Sequence, residues 1–223
     1  MSKFKLPLLL VILAAFSMPA LAGEKVVKRV PAGAVAFHFV ADLSYVTGEL
    51  VGHIVFIEGV DGSLFAGAPS KDTAYFTLRI TEPTPAPIFF PTPPDPLLPL
   101  VTLLEPGAQF TVYFDPEPTG RPWTDPKTFG DPLFPEYGMP IAVFEESALL
   151  GTGISGTSFN VFSSRLIDST PIDFDGQRID FKKLVPNGVT TTNFTRARAD
   201  GARFGATSIA IGGKLRDKSD DDD

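Results

Sequence analysis

A chain of 223 residues with 43% hydrophobic content can bury a sizeable core, and its lack of cysteine excludes disulfides and cysteine-bound metal clusters. Its formal charge of −7 argues against nucleic acid and anionic membrane surfaces as partners.

The N-terminus reads as a processing signal. Lys3 and Lys5 give a short basic start, Leu6 to Phe16 an apolar run interrupted by Pro7, and Ala20, Leu21 and Ala22 a small-x-small cleavage pattern. The run is shorter than the roughly 20 residues a membrane span needs. Cleavage before Gly23 is therefore expected, leaving no membrane span and placing the protein in a secreted or periplasmic setting. Loss of the two lysines takes the formal charge from −7 to −9. The expected organisation is a signal over residues 1–22, one β domain over 23–215 and an acidic, disordered tail over 216–223.

From Gly33 to Tyr45 the apolar side chains fall on alternate positions, Val35, Phe37, Phe39, Leu43 and Tyr45, which is the period of a strand with one face in a core. Thr47 and Gly48 turn the chain into Glu49 to Glu58, apolar on both faces and expected to be central. Reflection about that turn pairs His38 with Ile57 and His53 with Asp42, so the only two histidines are not expected to meet. Asp61 and Gly62 give a hairpin signal, and Thr73 to Thr81 alternates again with Ala74, Phe76, Leu78 and Ile80 facing in.

The segment Glu82 to Pro140 holds 16 of the 22 prolines, which fix φ and remove backbone donors. Within it Gln109 to Phe114 regains the alternation of a strand. An irregular apolar arm, Pro83 to Pro106, precedes that strand, and an acidic, aromatic arm, Asp115 to Met139, follows it. Regular structure resumes over Pro140 to Glu146, anchored by Ile141, Val143 and Phe144. The glycine-rich run Gly151 to Gly156 is expected to be a flexible turn, since neither a buried parallel strand before it nor a helix after it supports a phosphate loop.

Thr157 to Asp168, Val189 to Ala199 and Phe204 to Gly212 read as strands, with further Asp-Gly turns at Asp175-Gly176 and Asp200-Gly201. Ile179 to Leu184 is the one arguable helix. The pattern describes an all-β antiparallel meander closing into a barrel, with a two-sheet β-sandwich as the alternative and the proline-rich segment as an insertion. A membrane barrel fits poorly, because Thr191, Asn193 and Thr195 share one face of a strand and Arg196 and Arg198 the other.

Chemistry is sparsest where catalysis would need it. No metal-binding or nucleophile motif is present, and no cofactor is expected. AsnPheThr at Asn193 to Thr195 fits the glycosylation pattern, but inside a strand it is assigned no role. Arg196, Arg198 and Arg203 form a basic hairpin face that balances the acidic surface. The acidic arm gathers aromatic rings and carboxylates: Asp115, Trp123, Asp125, Phe129, Asp131, Phe134 and Tyr137, with Glu117 and Glu136. Rings stack on sugar faces while carboxylates accept hydroxyl hydrogen bonds, and the same groups could bind Ca²⁺ or hydrolyse a glycoside. All five carboxylates adjoin a proline, however, and Asp-Pro pairs are ordinary turn chemistry. The sequence thus points to an exported, non-catalytic binding protein for a small apolar or carbohydrate-like ligand. The alternatives are a cell-envelope protein that engages a partner through its proline-rich arms and, more remotely, a carboxylate-dependent hydrolase.

Overall fold

The computed structural model describes residues 25–44, 50–81, 100–104, 108–118, 138–154, 157–197 and 201–212. In chain order the strands are β1 (Lys25–Val26), β2 (Val35–Ser44), β3 (Leu50–Ile57), β4 (Phe76–Thr81), β5 (Leu100–Leu104), β6 (Gln109–Phe114), β7 (Met139–Ile154) and β8 (Thr157–Ser169). After them come β9 (Ile172–Phe174), β10 (Gln177–Ile179), the single-turn helix α1 (Phe181–Leu184), β11 (Val189–Ala197) and β12 (Gly201–Ala210).

Eight strands form a closed antiparallel barrel in the order β7, β6, β4, β3, β2, β12, β11, β8, and the pairing of β8 with β7 completes the ring. Closure decides between the two architectures the sequence allowed, and it pairs each of the eight barrel strands on both sides, while β5 stays at the end of the sheet against β7. Alternating strands put one face of each inside. Phe37 and Phe39 of β2 lie 6.1 and 5.8 Å from the ring of Phe110 on β6, although β3 and β4 stand between the two strands in the wall, so these rings meet across the interior. Phe144 stacks on Phe110 at 5.2 Å and reaches Phe37 at 6.3 Å. Burying a phenylalanine side chain contributes roughly 1.5–3 kcal/mol, and ring pairs add about 0.5–1.5 kcal/mol each.

One end of the barrel is plugged. A small sheet, with β1 parallel to β10 and β10 antiparallel to β9, packs there with α1. Phe174 sits 5.0 Å from Phe76 and 5.9 Å from Phe114, and Phe181 sits 6.1 Å from both Phe37 and Phe144. The β9–β10 hairpin is a tight turn in which Asp175 and Gly176 both take positive φ, 48° and 71°, as the Asp-Gly pair leads one to expect. Helix α1 is capped by Asp180, whose carboxylate accepts from Lys182 N at 2.9 Å and from Ser169 Oγ at 3.0 Å.

Three expectations need correction. The end of the apolar arm is not irregular: Leu100–Leu104 forms β5, paired with Leu149–Gly153. Strand β7 continues through Gly151 to Ile154, so much of the glycine-rich run is strand rather than turn, because β5 and β8 satisfy its backbone on both sides. Around the first hairpin the partners are His38 with Phe56 and His53 with Val40: from Leu43–Leu50 outward the ladder is offset from the simple reflection, and the shift between His38 and Phe39 reduces that offset by one residue. The histidines still do not meet. The expected signal over residues 1–22, most of the proline-rich segment and the expected tail over 216–223 lie outside the described residues.

Candidate functional site

The inner wall of the barrel has two chemically different halves. On β2, β3, β4 and β6 the inward residues include Phe37, Phe39, Ile54, Phe76, Leu78, Phe110 and Val112, all buried. Across from them β8, β11 and β12 turn polar residues inward. Ser164, Thr191 and Ser208 are each 0% exposed, and Asn193 is buried beside Asn160. The face bearing Thr191 and Asn193, which the sequence set against a lipid-facing strand, is thus the lining of the barrel.

Most of this polar wall is internally satisfied. Thr191 Oγ1 and Ser208 Oγ lie 2.8 Å apart, and Asn160 Nδ2 donates to Asn193 Oδ1 at 2.8 Å. The exception lies where β7 meets β8. Glu146 is directly opposite Ser164, with its side chain on the inner face, two residues beyond Phe144. Glu146 is 6% exposed, and neither its Oε1 nor Ser164 Oγ has a hydrogen-bond partner. Burial pushes the Glu146 carboxyl up from 4.5 to about 7. Among the described residues Glu146 is the only buried ionisable side chain.

The alternation of Ala142 and Phe144 carries Glu146 inward, and an irregularity follows it. The β7–β8 register shifts between Glu146 and Ala148, leaving Ser147 unopposed, and Ser147 Oγ donates to Ser163 O at 2.8 Å. Such a bulge resets which side chains point inward, and bulges recur beside functional sites. Glu145, one residue back, faces outward and accepts from Arg165 Nε at 2.6 Å. Successive glutamates on one strand therefore have opposite fates, one paired in solvent and one unpaired in the core.

A second concavity, a groove of about 460 Å³, lies on the outer wall between β2, β3, β12 and the loop at Pro69 to Asp72. It contains His53, whose imidazole is pushed down by burial and by the nearby Arg203 charge. Its charges are mixed, and Arg203 Nε reaches Asp42 Oδ1 at 3.5 Å.

Of the residues nominated from the acidic arm, Asp115 is described. Its Oδ1 accepts from Glu117 N at 2.8 Å, and its own N–H donates to Tyr75 O at 2.9 Å, an Asx turn that pins the start of the arm to β4. Trp123, Asp125, Phe129, Asp131, Phe134 and Tyr137 lie outside the described residues, as does Arg198. Arg196 and Arg203 are cross-strand partners on the last hairpin. Sequence reasoning missed Glu146. The signal was present, because continuing the alternation of Ala142 and Phe144 places position 146 on the same inward face.

Among the described residues no group of three or more His, Asp or Glu could hold a metal ion, and no helix is long and apolar enough to cross a membrane. No family model matches the chain, and no curated protein or solved structure matches it either.

Proposed function

We propose that this protein is an exported, non-catalytic binding protein whose barrel holds a small, mainly apolar ligand by a polar head group. One observation carries the reading: two buried hydrogen-bonding atoms on directly opposed residues, Glu146 Oε1 and Ser164 Oγ, have no partners inside a phenylalanine-rich barrel. Burying such groups unsatisfied costs about 1–3 kcal/mol each, a cost that a ligand supplying the missing partner removes. Ligand sites of this kind are mostly apolar with a few convergent polar groups. A second ionisable group, which acid/base catalysis generally requires, is absent from the described interior. Export rests on the N-terminal sequence, from Lys3 to Ala22.

Native mass spectrometry of the protein purified from its own host tests the reading. A retained small molecule that is lost from a Glu146→Gln, Ser164→Ala double variant is the expected result. A bare polypeptide mass, together with failure of added apolar probes to bind, overturns it.

A further inference from the structure

Resting on the interior-binding reading, we infer that the ligand class is a primary organic ammonium, an apolar amine whose cationic head group pairs with Glu146 and hydrogen-bonds to Ser164. On β8 the residue opposite is Ser164, and the next charge along, Arg165, lies on the outer face paired with Glu145. On the β6 side the neighbouring segment offers the backbone carbonyl of Ala108, which accepts from Glu146 N at 2.8 Å, and Gln109, which is exposed. No described cation faces the interior, so Glu146 is a buried acid without a counter-charge.

An ammonium group supplies what this arrangement lacks. It carries three donors and no acceptor, matching a carboxylate and a hydroxyl oxygen that both accept. The rings of Phe110 and Phe144, stacked on each other one layer below, give the site an apolar floor against which an alkyl or aryl tail would pack. The acidic surface raises the local concentration of cations. A neutral alcohol would satisfy the hydrogen bonds but not the charge. A carboxylic acid would bring a second acid to a site that has no base.

Binding has a proton balance. The ammonium form of the amine enters, the Glu146 O–H bond breaks, its proton leaves to solvent, and the carboxylate remains paired with the ammonium. With the carboxyl pushed up to about 7, most of a proton is released per amine bound at pH 6 and little at pH 8. The amine therefore binds more tightly as pH rises towards 7, and its affinity levels off above that.

Hexylamine, 1-hexanol and hexanoic acid, equal in tail and different in head group, make the test. Calorimetric titration of the full chain in buffers of different ionisation enthalpy, at pH 6 and pH 8, reads affinity and proton release together. Hexylamine should bind at least about tenfold more tightly than hexanol at pH 8, as a charge-assisted pair requires. Proton release should disappear in Glu146→Gln, with near-ultraviolet circular dichroism reporting whether that variant is folded. In the wild-type protein, carboxyl ¹³C NMR should show the Glu146 titration moving to lower pH when hexylamine is added. Equal binding of amine and alcohol overturns the ammonium assignment and leaves the binding reading standing, as does tighter binding of the acid. If none of the three binds, a buried water is enough to satisfy the pair, and both readings fall.

Discussion

Glu146 and Ser164 are directly opposed on β7 and β8, yet each holds a buried oxygen that bonds to nothing, while the neighbouring pairs Thr191–Ser208 and Asn160–Asn193 are satisfied. Folding this carboxyl inward is a standing cost, and its sign sets the first prediction. The folded protein keeps the Glu146 proton up to about pH 7, whereas the unfolded chain releases it near 4.5. Between those values the folded state binds more protons, so this group lowers stability by about 1.4 kcal/mol per pH unit as pH rises, with no further loss above 7.

In urea denaturation, Glu146→Gln should therefore gain on the wild type by about 2–3 kcal/mol between pH 5 and pH 8. A difference between the two proteins that stays constant across this range would show that the carboxyl is not protonated in the fold.

The backbone beside this pair is equally constrained. Gly188 precedes β11 with φ +89°, and a Cβ there would run into Ser164 O and come 2.7 Å from Arg165 Cα, both in the backbone of β8. Gly188→Ala should destabilise by about 3 kcal/mol or more, from left-handed strain plus a clash that no rotamer relieves. Gly205 in β12 is exposed with nothing within 4 Å of its Cβ position, so Gly205→Ala should fall within about 0.5 kcal/mol of wild type. Thermal melts of the two variants separate a special position from ordinary strand glycine.

How much of this was legible in the sequence varied with the kind of signal. Alternation placed Phe37, Phe39, Phe76, Leu78, Phe110 and Val112 inside, and all are buried. Asp175-Gly176 announced its own turn. Strand β5 and the far half of β7 escaped because Leu100–Leu104 sits among prolines and Gly151 to Ile154 among glycines. Tertiary pairing with each other and with β8, not local preference, makes them strands. Glu146 escaped for a related reason. A glutamate at the end of an apolar alternation looks like the return to solvent, and the bulge after it, which keeps the strand going, leaves no mark that sequence alone reveals.

At the plugged end, Asp180 ties the β10–α1 junction to the last residue of β8 by accepting from both Lys182 N and Ser169 Oγ. Asp180→Ala removes a cap and the acceptor of Ser169 Oγ, while Lys182 N keeps a bond to Ser169 Oγ at 3.2 Å, for an expected loss of about 1–2 kcal/mol. Asp180→Asn retains an acceptor and should recover most of it. A loss in both variants alike would mean that charge rather than capping holds the junction.

The plug itself yields the last prediction. Phe181 is 0% exposed and is the one side chain of α1 in ring contact with both β2 and β7, through Phe37 and Phe144 at 6.1 Å each. Truncating it removes ring contacts at the plugged end, where Phe37 and Phe144 cannot close the gap cheaply, and Phe181→Ala should cost about 3–5 kcal/mol. Phe181→Leu, which keeps most of the volume, should cost clearly less. The pair also tests whether the plug and the Glu146 site are independent, because Phe144 contacts Phe181 and lies two residues before Glu146. If the plug is only a floor, Phe181→Leu should lower the melting temperature while leaving hexylamine affinity at pH 8 within about twofold of wild type. A larger change in affinity would show that the phenylalanine layer shapes the site above it.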